Sequence, residues 1–408
     1  MAETRERALM VYAGPRRGAE LAFYLEELRA LCEAAGAEVA GEVVQSLPQP
    51  DAHGYLGAGK LEEAALDLAE FGIDLLVAAS ALSSRQQREL ERQTHVKVID
   101  RTALILDIFA QRALSQEGKL QVELAQLTYL LPRLRRSAGS LSRLGGGIGT
   151  RGPGESKLET DRRRLRGRIA ELERRIAVVQ RQRAVSRQER AELPRVALVG
   201  YTNAGKSTLL RALTSSGGGG EDRLFATLDP LTRRLRLPGH QEALLTDTVG
   251  FVQDLPTELV AAFRATLEET VFADLLLHVI DVSHPEWRRQ SDAVQATLQE
   301  IGALGVPQLQ VLNKVDRLPA DAAQELPGLV VSARDGTGMD ALRAAIGETL
   351  GQRRLRRVFV IPLRRGDLLA QVRAHGEVLA EEAGETEIRV EAWLDAAWAG
   401  RIAAELHG

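Results

Sequence analysis

The stretch that decides the reading is Gly200-Tyr201-Thr202-Asn203-Ala204-Gly205-Lys206-Ser207-Thr208, preceded by the apolar run Val196 to Val199. A short apolar run ending in glycine reads as a buried strand, and the residues after Gly205 open a helix. Strand, glycine loop and helix together make a phosphate-binding loop, because successive backbone N–H groups and the positive end of the helix converge on one anion. In such a loop Lys206 neutralises the β and γ oxygens, and the Ser207 hydroxyl is placed to ligate Mg²⁺.

Downstream, further short elements follow at spacings that one α/β domain requires. They are Thr227 in Phe225-Ala226-Thr227, Asp247-Thr248-Val249-Gly250 after a strand at 243–245, Asn313-Lys314-Val315-Asp316 after a strand at 309–312, and Ser332-Ala333-Arg334 after a strand at 329–331. Each falls where a strand's carboxyl end meets a loop, the place where open α/β sheets bind ligands. Asp247 can hold Mg²⁺, and Gly250 allows a backbone N–H to meet the γ-phosphate. Thr227 would close over the metal only when that phosphate is present. The Asp316 carboxylate can accept from guanine N1–H and N2–H₂, a donor pair that adenine lacks, and leaving it unpaired is costly. GTP and GDP are therefore the expected ligands. Lys206, Thr227 and Gly250 are the expected catalytic groups, and Ser207, Thr227 and Asp247 the expected metal ligands.

Two residues of this region allow separate readings. Phe251 follows Gly250 where a water-orienting glutamine would be useful, and a phenyl ring cannot do that work, so slow intrinsic hydrolysis completed by a partner is expected. Asn203 either stabilises its loop or helps to hold K⁺ beside the phosphates. Just before Phe225, Ser215 to Gly220 reads SSGGGG, a glycine-rich entry to that segment.

Upstream the period changes. Residues 1 to about 115 alternate apolar runs (8–14, 38–44, 74–80, 95–100) with helical spacing such as Leu21, Tyr24, Leu25, Leu28, Leu31, which reads as a βα domain with a mostly parallel sheet. Heptad spacing follows in Leu120, Leu124, Leu127, Leu131, Leu134 and again in Leu165, Ile169, Leu172, Ile176, Val179. Two such stretches flanking a glycine-rich loop at 138–154 suggest an antiparallel helical hairpin, with Pro132 kinking or ending its first arm. The division expected is 1–117, an α/β domain; 118–194, the hairpin with its basic loop; 195–350, a doubly wound P-loop domain; and 351–408, a small α+β domain.

Charge is uneven. The whole chain is at −3, yet Arg133 to Arg168 holds eleven cations against three acids. Such a patch on a protruding hairpin, without aromatics, suits contact with RNA phosphates and RNA shape. The expected contacts are Arg135, Arg136, Arg143, Arg151, Lys157, Arg162, Arg163 and Arg164. A single cysteine, Cys32, rules out an intramolecular disulfide framework, and nowhere do 18 apolar residues run together. A cytoplasmic protein with no membrane partner, monomeric when unbound, is expected. A second G-x4-G-K stretch, Gly54 to Leu61, ends in leucine where Mg²⁺ would need a hydroxyl, and reads as a turn before a helix at 61–69.

The whole chain resembles the HflX family of bacterial GTPases. The resemblance rests on GYTNAGKST, on LFATLDP followed by TRR, on DTVGF at 247–251, on GAGKLEE at 57–63 and on GGGIGTRGPGESKLETDRRR at 145–164. It implies binding to the large ribosomal subunit and its rRNA, splitting of ribosomes under stress, and GTP hydrolysis stimulated by the subunit. An assembly checkpoint on the same subunit is the alternative. A further alternative is ATP-dependent RNA remodelling by the N-terminal domain, for which the resemblance suggests a second nucleotide.

Overall fold

The computed structural model describes residues 6–134, 153–189, 193–214, 225, 227–239, 241–253, 264–319, 321–322, 325–351, 355–394 and 396–407. The chain divides into two compact units, one of residues 1–179 with 223–228 and 256–263, the other of the remainder.

The first unit begins with strand β1 (Arg7–Gly14), which is buried over seven of its eight residues, as expected of a strand covered on both faces. β1 pairs in parallel with β2 (Glu38–Ser46) and β3 (Leu75–Ala78), and β3 with β4 (Lys97–Asp100), giving the order β2-β1-β3-β4. Helices α1 (Gly18–Ala34), α2 (Ala58–Glu70) and α3 (Ser84–Thr94) make the crossovers, and α4 (Arg101–Arg112) follows β4. Cys32 is fully buried and its thiol is pushed up to about 12 by burial, so it serves as a core residue and not as a nucleophile.

Helices α5 (Gln116–Leu134) and α6 (Pro153–Glu189) form the hairpin. Leu120 packs on Leu172 and Ile176 with Leu124 and Leu127 alongside, and Arg168 grips Glu123 at 2.7 Å, so the helices run antiparallel along the expected seam. Helix α5 continues two residues past Pro132. Its other face, which heptad spacing does not reveal, is buried through Val122, Ala125 and Tyr129. The fastening is Asp100, 1% exposed, which accepts from Leu82 N, Ala103 N, Tyr129 Oη and Arg133 Nη2 at 2.8–2.9 Å. A buried carboxylate with four donors is fully satisfied and fixes the root of α5.

The second unit carries a six-stranded sheet in the order β10-β9-β8-β5-β7-β6. Its strands are β5 (Arg195–Gly200), β6 (Leu231–Leu237), β7 (Gln241–Asp247), β8 (Leu275–Asp281), β9 (Gln308–Asn313) and β10 (Leu329–Val330). Only β6 is antiparallel, an edge strand that periodicity does not announce because three of its seven residues are arginine. Around the sheet lie α7 (Lys206–Thr214), α8 (Arg264–Val271), α9 (Trp287–Glu300) and α10 (Met339–Gly351). The core joins Leu198, Leu209, Leu245, Leu277, Val311 and Leu342. The last strands, β11 (Leu355–Pro362), β12 (Glu377–Ala383) and β13 (Glu387–Leu394), form an antiparallel sheet in the order β11-β13-β12. Helices α11 (Gly366–His375) and α12 (Ala396–His407) pack on it through Leu368, Val372 and Ile402. Among the described residues no helix is long and apolar enough to cross a membrane.

Candidate nucleotide site

The site gathers at the carboxyl ends of β5, β7 and β9. Parallel pairing of β5 with β7 and β8 brings the loop after Gly200 beside Asp247, and β8–β9 pairing sets Asn313 next to Asp281. Helix α7 begins at Lys206, so Gly200 to Gly205 form the non-helical loop ahead of its first turn. Asn203 is in the left-handed region at φ 61 and exposed, at the turn in which Ala204 N donates to Tyr201 O at 3.2 Å.

Lys206 is only 6% exposed, and its Nζ donates to the carbonyls of Gly200 at 3.0 Å and Tyr201 at 2.9 Å. Burial pushes its ammonium down to about 8; Asp247 opposes that shift and Lys314 adds to it. Ser207 Oγ donates to Asp247 Oδ2 at 2.6 Å, so a hydroxyl and a carboxylate stand side by side, the hard oxygen donors Mg²⁺ prefers. Among the described residues no group of three or more His, Cys, Asp or Glu gathers as a metal site. The donor set fits an ion that draws its other ligands from phosphate and water, as Mg²⁺ does.

Gly250 is held where no side chain fits: a Cβ there would stand 2.8 Å from Thr202 Cα and 3.2 Å from Lys206 Nζ. Thr248 is wholly buried and donates to Leu198 O at 2.6 Å, pinning this turn under the phosphate loop. Phe251 is 1% exposed; its carbonyl accepts from Thr202 N at 2.7 Å and its N–H donates to Gly200 O at 3.1 Å. The phenylalanine that replaces a polar residue is therefore a buried tie between the two loops, with its backbone as the working part. Val249 is also buried.

Asn313, Ser332 and Asp316 build the other side of the site. Asn313 Nδ2 donates to Ala204 O at 2.9 Å and its Oδ1 accepts from Ala333 N at 3.0 Å, so one buried side chain binds the phosphate loop to the Ser332-Ala333 turn. A Cβ on Gly205, which sits at φ 95, would lie 2.3 Å from that Nδ2, so only glycine fits. Ser332 Oγ donates to Asp316 Oδ1 at 2.8 Å, orienting a carboxylate that remains exposed, and Arg334 beside it is exposed too. Lys314 stands at φ 66 and pairs with Asp281 at 2.8 Å. Asp281 is a buttress that sequence reading missed; its one signal is a carboxylate closing the strand LLLHVID, apolar but for His278.

Some expected residues are placed elsewhere or not at all. Phe225 is 1% exposed at φ 52 and packs edge-to-face on Phe109, ring centroids 4.6 Å apart, within the first unit. Thr227 is half-buried and belongs to the same unit. Ala226, the SSGGGG stretch, Arg135, Arg136, Arg143, Arg151 and the side chain of Lys157 lie outside the described residues. On α6, Arg163 and Arg164 are exposed and Arg162 is partly covered. Among the described cations of the basic run, Arg133 pairs with Asp100, Arg168 with Glu123 and Glu171, and Arg164 lies 3.9 Å from Asp161. Helix α2 begins at Ala58, not at residue 61, so Gly59 and Lys60 already lie in its first turn.

Fold and site together define a P-loop GTPase, with the glycine loop, Asp247 and Asp316 at one end of the sheet. Residues 195–314 match the family described as 50S ribosome-binding GTPase, while 23–110 and 112–190 match the N-terminal and middle regions of a GTP-binding GTPase family. GTPase HflX of Caldanaerobacter subterraneus subsp. tengcongensis is 45% identical over 396 residues, covering 96% of this chain and 92% of that one. GTPase HflX of Escherichia coli is 43% identical over 378 residues, covering 90% and 89%. A GDP complex of a GTP-binding protein from Sulfolobus solfataricus is 26% identical, covering 85% of this chain and 99% of that one, with a TM-score of 0.44. The chain belongs to the HflX family of GTPases: it binds guanine nucleotide, hydrolyses GTP, and has a G domain of the ribosome-binding kind.

Proposed function

We propose that this GTPase binds the large ribosomal subunit through rRNA contacts of its helical arm and drives ribosomes apart, with GTP setting tight binding and hydrolysis releasing the protein. In this reading the segments 1–117, 118–194, 195–350 and 351–408 are working modules, and the second of them is the wedge. Lys206 and Gly250 would act on the γ-phosphate and Ser207 and Asp247 would hold Mg²⁺, with Thr227 taking part in both only once that phosphate is bound. Phe251 offers no side chain to orient water, so the subunit completes the catalytic centre in the cytoplasm, where the free protein is a monomer. Asn203, exposed at the mouth of the loop, is the ligand for a K⁺ ion if one is used.

The observation that carries the proposal is the contrast in how the arm uses its arginines. Arg133 and Arg168 anchor the helices to carboxylates, whereas Arg163 and Arg166 remain exposed on one stretch of α6 and Arg164, its side chain 78% exposed, only approaches Asp161 at 3.9 Å. Cations that are not spent on the fold are the ones available to phosphate. The test is sedimentation of intact ribosomes with protein and a non-hydrolysable GTP analogue. Free subunits are expected; protein bound only to intact or immature particles would favour an assembly checkpoint instead.

A further inference from the structure

Within the second unit a cavity of about 840 Å³ opens between the edge hairpin of the G-domain sheet and the C-terminal helices. One wall is Arg234 and Arg236 on β6 with Gln241 and Glu242 on β7; the facing wall is His375, which ends α11, and Trp398 on α12. None of these residues serves the nucleotide site described above.

Two features of the walls point to one kind of ligand. The first is an aromatic platform: the His375 imidazole lies flat on the Trp398 indole, centroids 3.7 Å apart and planes 9° apart. His375 is nonetheless exposed, so the stack can be reached by a third planar group from solvent. The second is a guanidinium pair. Arg234 and Arg236 are two residues apart on a strand and therefore share a face, with side chains 73% and 91% exposed. Both reach toward the single carboxylate of Glu242, at 3.6 and 3.9 Å, so one carboxylate is shared between two cations. Arginines on an edge strand can serve merely to keep it from pairing with other chains. An exposed ring across the cavity from them adds what that role does not need.

We propose that this cavity binds one nucleotide of a flexible RNA segment, its base stacked on His375 and its phosphate on Arg234 and Arg236. Base-on-ring stacking with arginine on the backbone is how single-stranded RNA is held without sequence selection. Because both guanidiniums lie at the exposed rim, the chain can continue on either side of the bound unit. The inference extends the ribosome reading by a second RNA contact, but its test needs no ribosome and so fails or succeeds on its own.

The probe is a fluorescein-labelled RNA hexanucleotide, read by anisotropy on full-length protein saturated with GDP and Mg²⁺. The background is Arg163→Glu with Arg164→Glu, so that the arm contributes little. In that background Arg234→Glu with Arg236→Glu is expected to weaken binding about tenfold and to flatten its salt dependence. His375→Ala should weaken it about fivefold or more. Unchanged GDP affinity and thermal melting in each variant would show that the fold survives. Equal hexanucleotide affinity in parent and both variants overturns the proposal. So does displacement of the probe by AMP at the concentration at which the unlabelled hexanucleotide displaces it, which marks a free-nucleotide site. Displacement by an oligoglutamate peptide more readily than by RNA also overturns it and assigns the cavity to an acidic protein segment.

Discussion

Two loops in this chain satisfy G-x4-G-K, and they could hardly differ more in what surrounds them. At Gly200 to Lys206 the lysine is buried, its Nζ is held by two loop carbonyls, and side chains from two other strands, Asp247 and Asn313, tie directly into the loop. At Gly54 to Lys60 the loop serves the fold. Its Gly57 N–H is taken by Gln45 Oε1 at 2.8 Å, the Tyr55 ring is wholly buried with its hydroxyl 3.0 Å from Ser80 Oγ, and Leu61 fills the core. Lys60 lies at the surface, paired with Glu63 at 2.7 Å. A glycine loop ending in lysine becomes a phosphate site only when neighbouring strands bring a metal-side carboxylate and when the lysine is desolvated enough to gain from an anion.

Truncating each lysine in turn should separate the two loops. Lys206→Ala should cut GTP-analogue affinity by about a hundredfold or more, since it removes a desolvated charge from the phosphates. Lys60→Ala should leave guanine-nucleotide affinity and total nucleotide turnover as they were. Residual ATP hydrolysis in Lys206→Ala that disappears in the double variant would mean that the first loop is a second active site after all.

Next in size is the base. Asp316→Asn replaces an acceptor oriented by Ser332 with a group that turns one donor toward the guanine donors, and GTP affinity should fall about ten- to a hundredfold. Xanthosine triphosphate, whose ring presents a carbonyl where guanine has an amino group, should bind this variant better than GTP does. If both nucleotides bind Asp316→Asn equally weakly, the carboxylate supports the loop and does not read the base.

The arm is a third arena, and the same distinction between spent and unspent groups governs it. Arg163→Glu with Arg164→Glu should lower affinity for large subunits about tenfold at moderate salt and reduce the slope of log affinity against log salt by about two, without altering nucleotide binding. Arg133→Ala should act otherwise, lowering thermal stability because it strips Asp100 of a buried partner. Co-sedimentation across a salt series separates the two effects.

How far the sequence could be read follows the same line. The phosphate loop, Asp247, Asn313 and Asp316 are legible because their chemistry is local: a strand, a turn and a residue type at its end. The seam of Leu120 with Leu172 and Ile176 is legible because heptad period is a property of one helix at a time. What stays hidden are groups whose role is set by long-range pairing. Asp100 closes the run at 95–100 and becomes the socket for Tyr129 and Arg133 only through pairing across about thirty residues of chain. Arg133 and Arg168 read as part of a basic run because nothing in their neighbourhood discloses Asp100 or Glu123. Phe251 reads as a missing glutamine, and its backbone bonds to Gly200 and Thr202 depend on a loop fifty residues earlier.

The smallest effect tests desolvation itself. With its ammonium held to about 8 by burial, Lys206 is largely protonated at pH 7 and largely neutral at pH 8.5 in the free protein. Phosphate binds the charged form, so bound nucleotide raises the value, and binding above pH 8 must take up a proton. Affinity for a GTP analogue should therefore fall about fourfold between pH 7 and 8.5, and show no further gain below pH 7. His278, pushed down to about 4 chiefly by burial, stays neutral across that window and contributes nothing to the slope. Calorimetry in two buffers of different ionisation enthalpy would count the proton directly. A flat profile with no uptake at pH 8.5 would mean that Lys206 is already charged before the nucleotide arrives, and that its buried place beside Asp247 suffices to keep it so.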